Sequence, residues 1–183
     1  MTDPHQSQDR PLPPLVRAIE GVSGFAGGAG AILLGCLFSL MLAEVAARNL
    51  FGQSLHVTWE LSAYAMAGTF FLAAAATMRE GEHVRVGILL ELLPDKAARG
   101  LDLIVTISAM IIVAYIAYAV GGLTARSLAG DVRSWSGYRI PLAIPQSVLV
   151  LGAAILALQL LARALRLLGG FPADRRPVGA ITP

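Results

Sequence analysis

Charge is scarce in this chain. Only 14% of the residues are Asp, Glu, Lys or Arg, against about 25% in ordinary soluble domains. A soluble fold of 183 residues, 56% of them hydrophobic, has no interior large enough to hide that much apolar surface. Cysteine is nearly absent. Cys36 stands alone, so no intrachain disulfide can form, and its place in an apolar run marks it as a small packing residue. The three histidines, His5, His56 and His83, all lie outside the long apolar runs, which argues against haem held by paired membrane histidines. No HExxH, GxSxG, GxxxxGK[ST] or cysteine pair occurs. Glu80 and Glu82 are close, but they sit in a charged cluster that reads as a solvated surface. The chain is therefore not expected to be an enzyme, and no cofactor and no metal are expected. The net charge of +2 argues against nucleic acid as a partner. No internal repeat of the kind that builds a complete transporter from inverted halves is visible.

Long uncharged runs are what the chain does contain. Twenty-three residues separate Glu20 from Glu44, 18 separate Glu60 from Arg79, 23 separate Asp102 from Arg126, and 23 separate Arg139 from Arg163. Each is close to the roughly 20 residues that cross a bilayer as a helix, and none carries the polar stripe of a soluble bundle helix. The pattern predicts an all-α integral membrane protein with four transmembrane helices over about 21–47, 59–78, 101–125 and 141–163. The first run is long for a signal-peptide core and starts only after twenty residues, so it reads as a retained helix. Basic residues gather on one side: ten lie before the first run, between the second and third, or after the fourth, against four on the other side. The positive-inside rule then predicts cytoplasmic N and C termini, with Trp59, Trp135 and Tyr138 at the opposite, outer edge. Residues 1–11 and 169–183 read as flexible tails around a membrane domain over 12–168.

Several local patterns stand out. Leu12, Leu15, Val16, Ile19 and Val22 recur at helical spacing, with Arg17 and Glu20 on the facing side toward water. This is either a short amphipathic helix on the membrane surface or the start of the first span. Gly24, Gly28, Ala31 and Gly35 line one face of that span, where small residues let helices pack closely. Glu44 and Arg48 are four apart and so share a face. A structural ion pair or subunit contact is one reading of them, and an ion or substrate pathway the other. A dense cluster, Arg79, Glu80, Glu82, His83 and Arg85, closes the second span. The apolar residues after it are too few to span, and they predict an interfacial helix over about 84–93. Pro94 ends it, and Asp95 is placed to cap the next helix. Gln159 lies near the inner end of the fourth span, where water or a neighbouring helix would satisfy it.

The stretch Arg48–Pro94 carries a resemblance. RNLFG at 48–52, WELSAY at 59–64, REGEHVRV at 79–86 and LLP at 92–94 resemble the small membrane subunit of tripartite ATP-independent periplasmic (TRAP) transporters. Arg48, Glu60, Arg79, Gly81 and His83 occupy the motif positions, and IPLAIP at 140–145 is similar to the family's Ile-Pro approach to the fourth span. Trp59, Ala73 and Gly87 depart from the family pattern. The resemblance implies a non-catalytic scaffold. It would brace a large membrane subunit that carries substrate and sodium, in the bacterial inner membrane, with a periplasmic binding protein delivering an organic acid. Arg79, His83 and Arg85 would anchor the inner end of the second span. Arg48 and Glu60 would lie outside, where they brace the outer loops or touch the binding protein, and Gly81, with Glu44 from its own pairing to Arg48, is a further candidate structural or subunit contact. The other readings are a stand-alone homo-oligomeric carrier or channel, and a membrane anchor of an enzyme complex.

Overall fold

The computed structural model describes residues 14–54, 57–80, 94–135 and 138–169. Four helices account for nearly all of them: α1 (Pro14–Phe51), α2 (Val57–Glu80), α3 (Asp95–Ala129) and α4 (Ala143–Leu168). All four are long and apolar enough to cross a membrane, so the chain is an all-α, multi-pass membrane protein. Among the described residues there is no strand, only an isolated bridge between Arg133 and Pro141. The expected interfacial helix over 84–93 and the expected tails lie outside the described residues, apart from Gly169.

The first helix settles one open choice. It runs unbroken for 38 residues, or about 57 Å, nearly twice the roughly 30 Å hydrocarbon layer. Residues 14–22 are thus continuous with the helix of the first span rather than a separate helix. Their apolar face packs within the protein, with Val16 and Ile19 buried against Ala162 of α4. At the other end α1 stops at Phe51, and Gly52 follows with φ +66°. Glycine takes this left-handed conformation without the steric cost of a Cβ, which is how helices commonly end. Pro94 is the residue that caps α3, with no side-chain cap, and Asp95 is already the first helical residue. Proline's fixed φ suits that edge, so the expected Asp95 cap is not the one used.

The helices run up and down, with both short connections at one end. That end is called the loop end here. The start of α1, the end of α2, the start of α3 and the end of α4 share the other, the terminal end. The centre of the bundle is α4, which packs on α1, α2 and α3, while α1 and α2 pack on each other and, among the described residues, α3 touches α4 alone. The apolar core joins α1, α2 and α4 through Ala26, Leu72, Ala75, Met78, Ile155 and Leu160. The α3–α4 turn is tight. Val132 N–H donates to the Ser127 carbonyl, Ser134 N–H to Ile140 and Leu142 N–H to Val132. Asp131 and Arg139 take positive φ there, 43° and 48°, as non-glycine residues rarely do.

Small residues set the helix spacing where α2 meets its neighbours. A Cβ at Gly27 would lie 2.5 Å from the Ala76 Cβ, and one at Gly152 would lie 2.8 Å from the Phe71 Cβ. Gly28 and Gly35 have nothing within 4 Å, so within this chain they open away from α2 and α4. The packing ridge of α1 passes through Gly24, Gly27 and Gly30 instead. Steps of three residues track the line on which α2 crosses α1.

Candidate functional site

The charged residues segregate to the two ends of the bundle, and at the terminal end three of them, Glu20, Arg163 and Arg166, are buried inside it. Glu20 is 1% exposed and Arg166 is 6% exposed. The Arg166 guanidinium lies 2.8 Å from Glu20 Oε1, joining α1 to α4. Arg79 Nη1 donates to the Glu20 main-chain carbonyl at 3.0 Å, joining α2 to α1, and its Nη2 donates to Glu80 at 3.0 Å. Gly24 makes room for this, because a Cβ there would collide with Arg79 Nη1. Arg163 Nη2 reaches both carboxylate oxygens of Asp102 at 2.9 Å, and its Nη1 donates to Thr106 Oγ1 at 2.9 Å, joining α4 to α3. Ser23 Oγ lies 2.8 Å from Gln159 Oε1 and 3.0 Å from the Ile19 carbonyl, so its single proton serves one of the two at a time.

Three carboxylates, Glu20, Glu80 and Asp102, thus face three guanidiniums, Arg79, Arg163 and Arg166. The charges balance, and every helix contributes. Charges in a poorly polar interior are tolerated only when paired and hydrogen-bonded in this way. One expectation changes here, and one open choice is decided. Glu20 does not face water, because its side of α1 packs on α4. Gln159 finds a neighbouring helix, α1, rather than water.

At the loop end Glu44 is 4% exposed. Its Oε1 accepts from Arg48 Nη2 at 2.7 Å and from Ser54 Oγ at 2.7 Å. The carboxylate is thereby tied to its own helix and to the α1–α2 connection, beside a small recess of about 260 Å³ bounded by Met41, Asn49, Thr58 and Trp59. Glu60 accepts from Tyr64 OH at 2.6 Å on the next turn of α2. Glu44, Arg48 and Glu60 therefore gather at the loop end, and Arg79 with Gly24 at the terminal end. Gly81, His83 and Arg85 lie outside the described residues, as does His56. Among the described residues no group of three His, Cys, Asp or Glu side chains is placed to hold a metal.

Sequence reading missed the interior pairs because Asp102 and Arg163 served only to mark where the uncharged runs stop, and Glu20 was expected to face water. A signal was present. Gly152, Ile155, Gln159, Arg163 and Arg166 follow one another at three- and four-residue steps on α4. All of them are buried. Charges that continue a core stripe, instead of turning to the opposite face, belong to the interior.

Residues 37–170 match the family described as tripartite ATP-independent periplasmic transporters, DctQ component. No curated protein and no solved structure matches the chain. The matched residues take in the last 15 of the 38 residues of α1 and all of α2, α3 and α4, and Glu20 and Ser23, which reach into the network from α1, precede them. The match covers well over half of the chain, which therefore belongs to the DctQ family: it is the small membrane component of a TRAP transporter, a transport subunit and not an enzyme.

Proposed function

We propose that this subunit is a rigid brace, bound to the large membrane subunit of a sodium-coupled carrier for organic acids in the bacterial inner membrane. The observation that carries the proposal is the set of ion pairs and hydrogen bonds that ties the four helices at one end, with Glu20–Arg166 and Asp102–Arg163 as its interhelical ion pairs and the Arg79 bond to the Glu20 carbonyl as its link to α2. A carrier subunit that rearranges during transport needs a partner that does not, and side chains locking all four helices at one end make this chain such a partner. Its apolar outer faces suit the second half of the role. Phe25, Ile32 and Phe38 on α1, and Ile111, Tyr115 and Tyr118 on α3, are well exposed and leave large surfaces for lipid or a second membrane protein.

In this proposal both termini are cytoplasmic and the loop end is periplasmic. Glu44, Arg48 and Glu60 then brace the outer loops, within reach of a periplasmic binding protein. Arg79, Gly81, His83 and Arg85 anchor the end of α2 and the segment after it. Gly28 and Gly35, open on the outer face of α1, are candidate contacts for a helix of the large subunit.

Purifying the tagged chain from its native host tests this directly. The expected result is a much larger polytopic membrane protein in fixed stoichiometry. Carboxylate uptake by the reconstituted complex should need a sodium gradient. Recovery of the chain alone as a discrete oligomer would overturn the proposal and favour a self-sufficient carrier or channel.

A further inference from the structure

The two halves of the bundle are packed differently. Toward the terminal end, α1, α2 and α4 meet at glycines and alanines, and the ion pairs hold them there. Close packing at glycine extends to Gly68, where a Cβ would lie 2.9 Å from Leu33 Cδ2 and 3.1 Å from Val148 Cγ1. Beyond that point the three helices part around a crevice of about 300 Å³. Leu33, Leu37 and Leu40 line it from α1, Leu61 and Ala65 from α2, and Ile144 and Val148 from α4.

The lining admits only an apolar guest. Its polar atoms are few, and the Tyr64 hydroxyl is already bonded to Glu60. Ile140 and Pro145 close the loop-end side, and a proline in the first turn of α4 presents no N–H to the crevice. The Ile-Pro pattern noted in the sequence thus has a local use, since it walls the crevice without adding a donor. Water gains nothing there, because apolar cavities of about half this volume stay dry and take up benzene instead. The crevice also lies at membrane depth. Leu33 and Leu40 fall within the uncharged run of α1 and are separated by about 10 Å of helix. Cys36, on the same wall, is exposed, so the crevice opens sideways to the surroundings of the span. At that depth the surroundings are hydrocarbon tails.

We infer that this crevice is a binding site for one acyl chain of a bilayer phospholipid, seated between α1, α2 and α4 from the mid-span floor at Gly68 toward the loop end. The inference concerns this chain's own fold and does not depend on the bracing role. The ion pairs at the other end hold the helices while the loop-end half stays open to the guest.

The test uses the complete transporter complex, reconstituted in vesicles of phosphatidylethanolamine and phosphatidylglycerol. A trace of phosphatidylethanolamine carries a diazirine in one acyl chain. After irradiation, adducts are mapped by mass spectrometry. The expected result is labelling at Leu37, Leu40 and Val148. Val148→Trp or Ala65→Phe, each of which fills the crevice, should lower that labelling to background. Labelling at Ile111 and Tyr115 on the outer face of α3 should persist. Two filling positions are used so that one misfolded variant does not decide the outcome, and assembly is checked by co-purification with the large subunit. Absence of crevice adducts in the complex would overturn the inference. Crevice adducts in the isolated chain but not in the complex would also overturn it, and would assign the crevice to a side chain of the partner. Labelling unchanged by both substitutions would show ordinary surface contact with lipid and overturn it as well.

Discussion

Removing one charge of the Glu20–Arg166 pair should be far more harmful than removing both. Two unit charges about 3 Å apart attract by roughly 5–6 kcal/mol at an effective dielectric constant of about 20. Desolvating each ion costs several kcal/mol. The two effects nearly cancel, so the pair contributes little net stability. A single loss behaves differently, because Glu20→Leu leaves the Arg166 guanidinium buried and uncompensated, at about 3–5 kcal/mol. Since about 1.4 kcal/mol is tenfold, this means a fall of roughly 100-fold to a few thousand-fold in the folded-to-unfolded ratio. Arg166→Leu should cost a similar amount. The double change should return most of it, because well-packed apolar residues in place of a buried ion pair are often neutral. The Arg79 bond survives in all three variants, since it is accepted by the main chain of Glu20. Reversible unfolding of the purified chain in mixed micelles, titrated with a denaturing detergent, gives the four free energies. Single losses of about 1 kcal/mol or less, as for an exposed pair, would refute the reasoning.

Three further outcomes follow from particular contacts. Gly27→Ala should destabilise by about 1–3 kcal/mol through overpacking against Ala76, whereas Gly28→Ala, one residue on and facing open space, should be neutral or stabilising by up to about 1 kcal/mol; the same detergent titration distinguishes them. Arg163→Met should free the start of α3, whose one helical neighbour among the described residues is α4, and Asp102→Leu in the same chain should restore much of the lost stability in that titration. Glu44→Gln should leave substrate uptake by the complex intact, because the Glu44 carboxylate is already bound to Arg48 and Ser54; lost uptake at normal membrane levels would instead favour a pathway through it.

The number and type of helices were legible because a bilayer imposes a coarse rule, about 20 residues without charge. The rule reads the run between two charges and ignores the charges themselves. That is why Glu20, Asp102 and Arg163 passed as boundary marks while the structure uses them as interhelical contacts. The glycine face was half legible for a similar reason. Gly24 faces the Arg79 guanidinium of α2, but steps of four from it lead to Gly28 and the open side of the helix, and steps of three lead to the contact with α2. The choice between those steps depends on how α2 crosses α1, which no local pattern encodes. Glu44 and Arg48 were legible as a pair because four residues on one helix fix their distance without help from tertiary structure. Ser54, the third member, comes from the α1–α2 connection and had no such constraint.

The arginines at the terminal end also connect the proposed orientation with the observed packing. Arg79, Arg163 and Arg166 belong to the basic majority from which cytoplasmic termini are inferred, yet in the folded bundle they are turned inward or paired with carboxylates. The two uses do not conflict. Orientation is decided as segments enter the membrane, before the helices pack, and Lys and Arg count in that step while Asp and Glu contribute little. Glu20 and Asp102 can therefore lie among these arginines without weakening the orientation signal. Once the helices meet, the same carboxylates neutralise the charges that would otherwise be stranded inside the bundle. A chain with so few charges can then use one set of arginines first to choose a side of the membrane and afterwards to lock four helices into a frame.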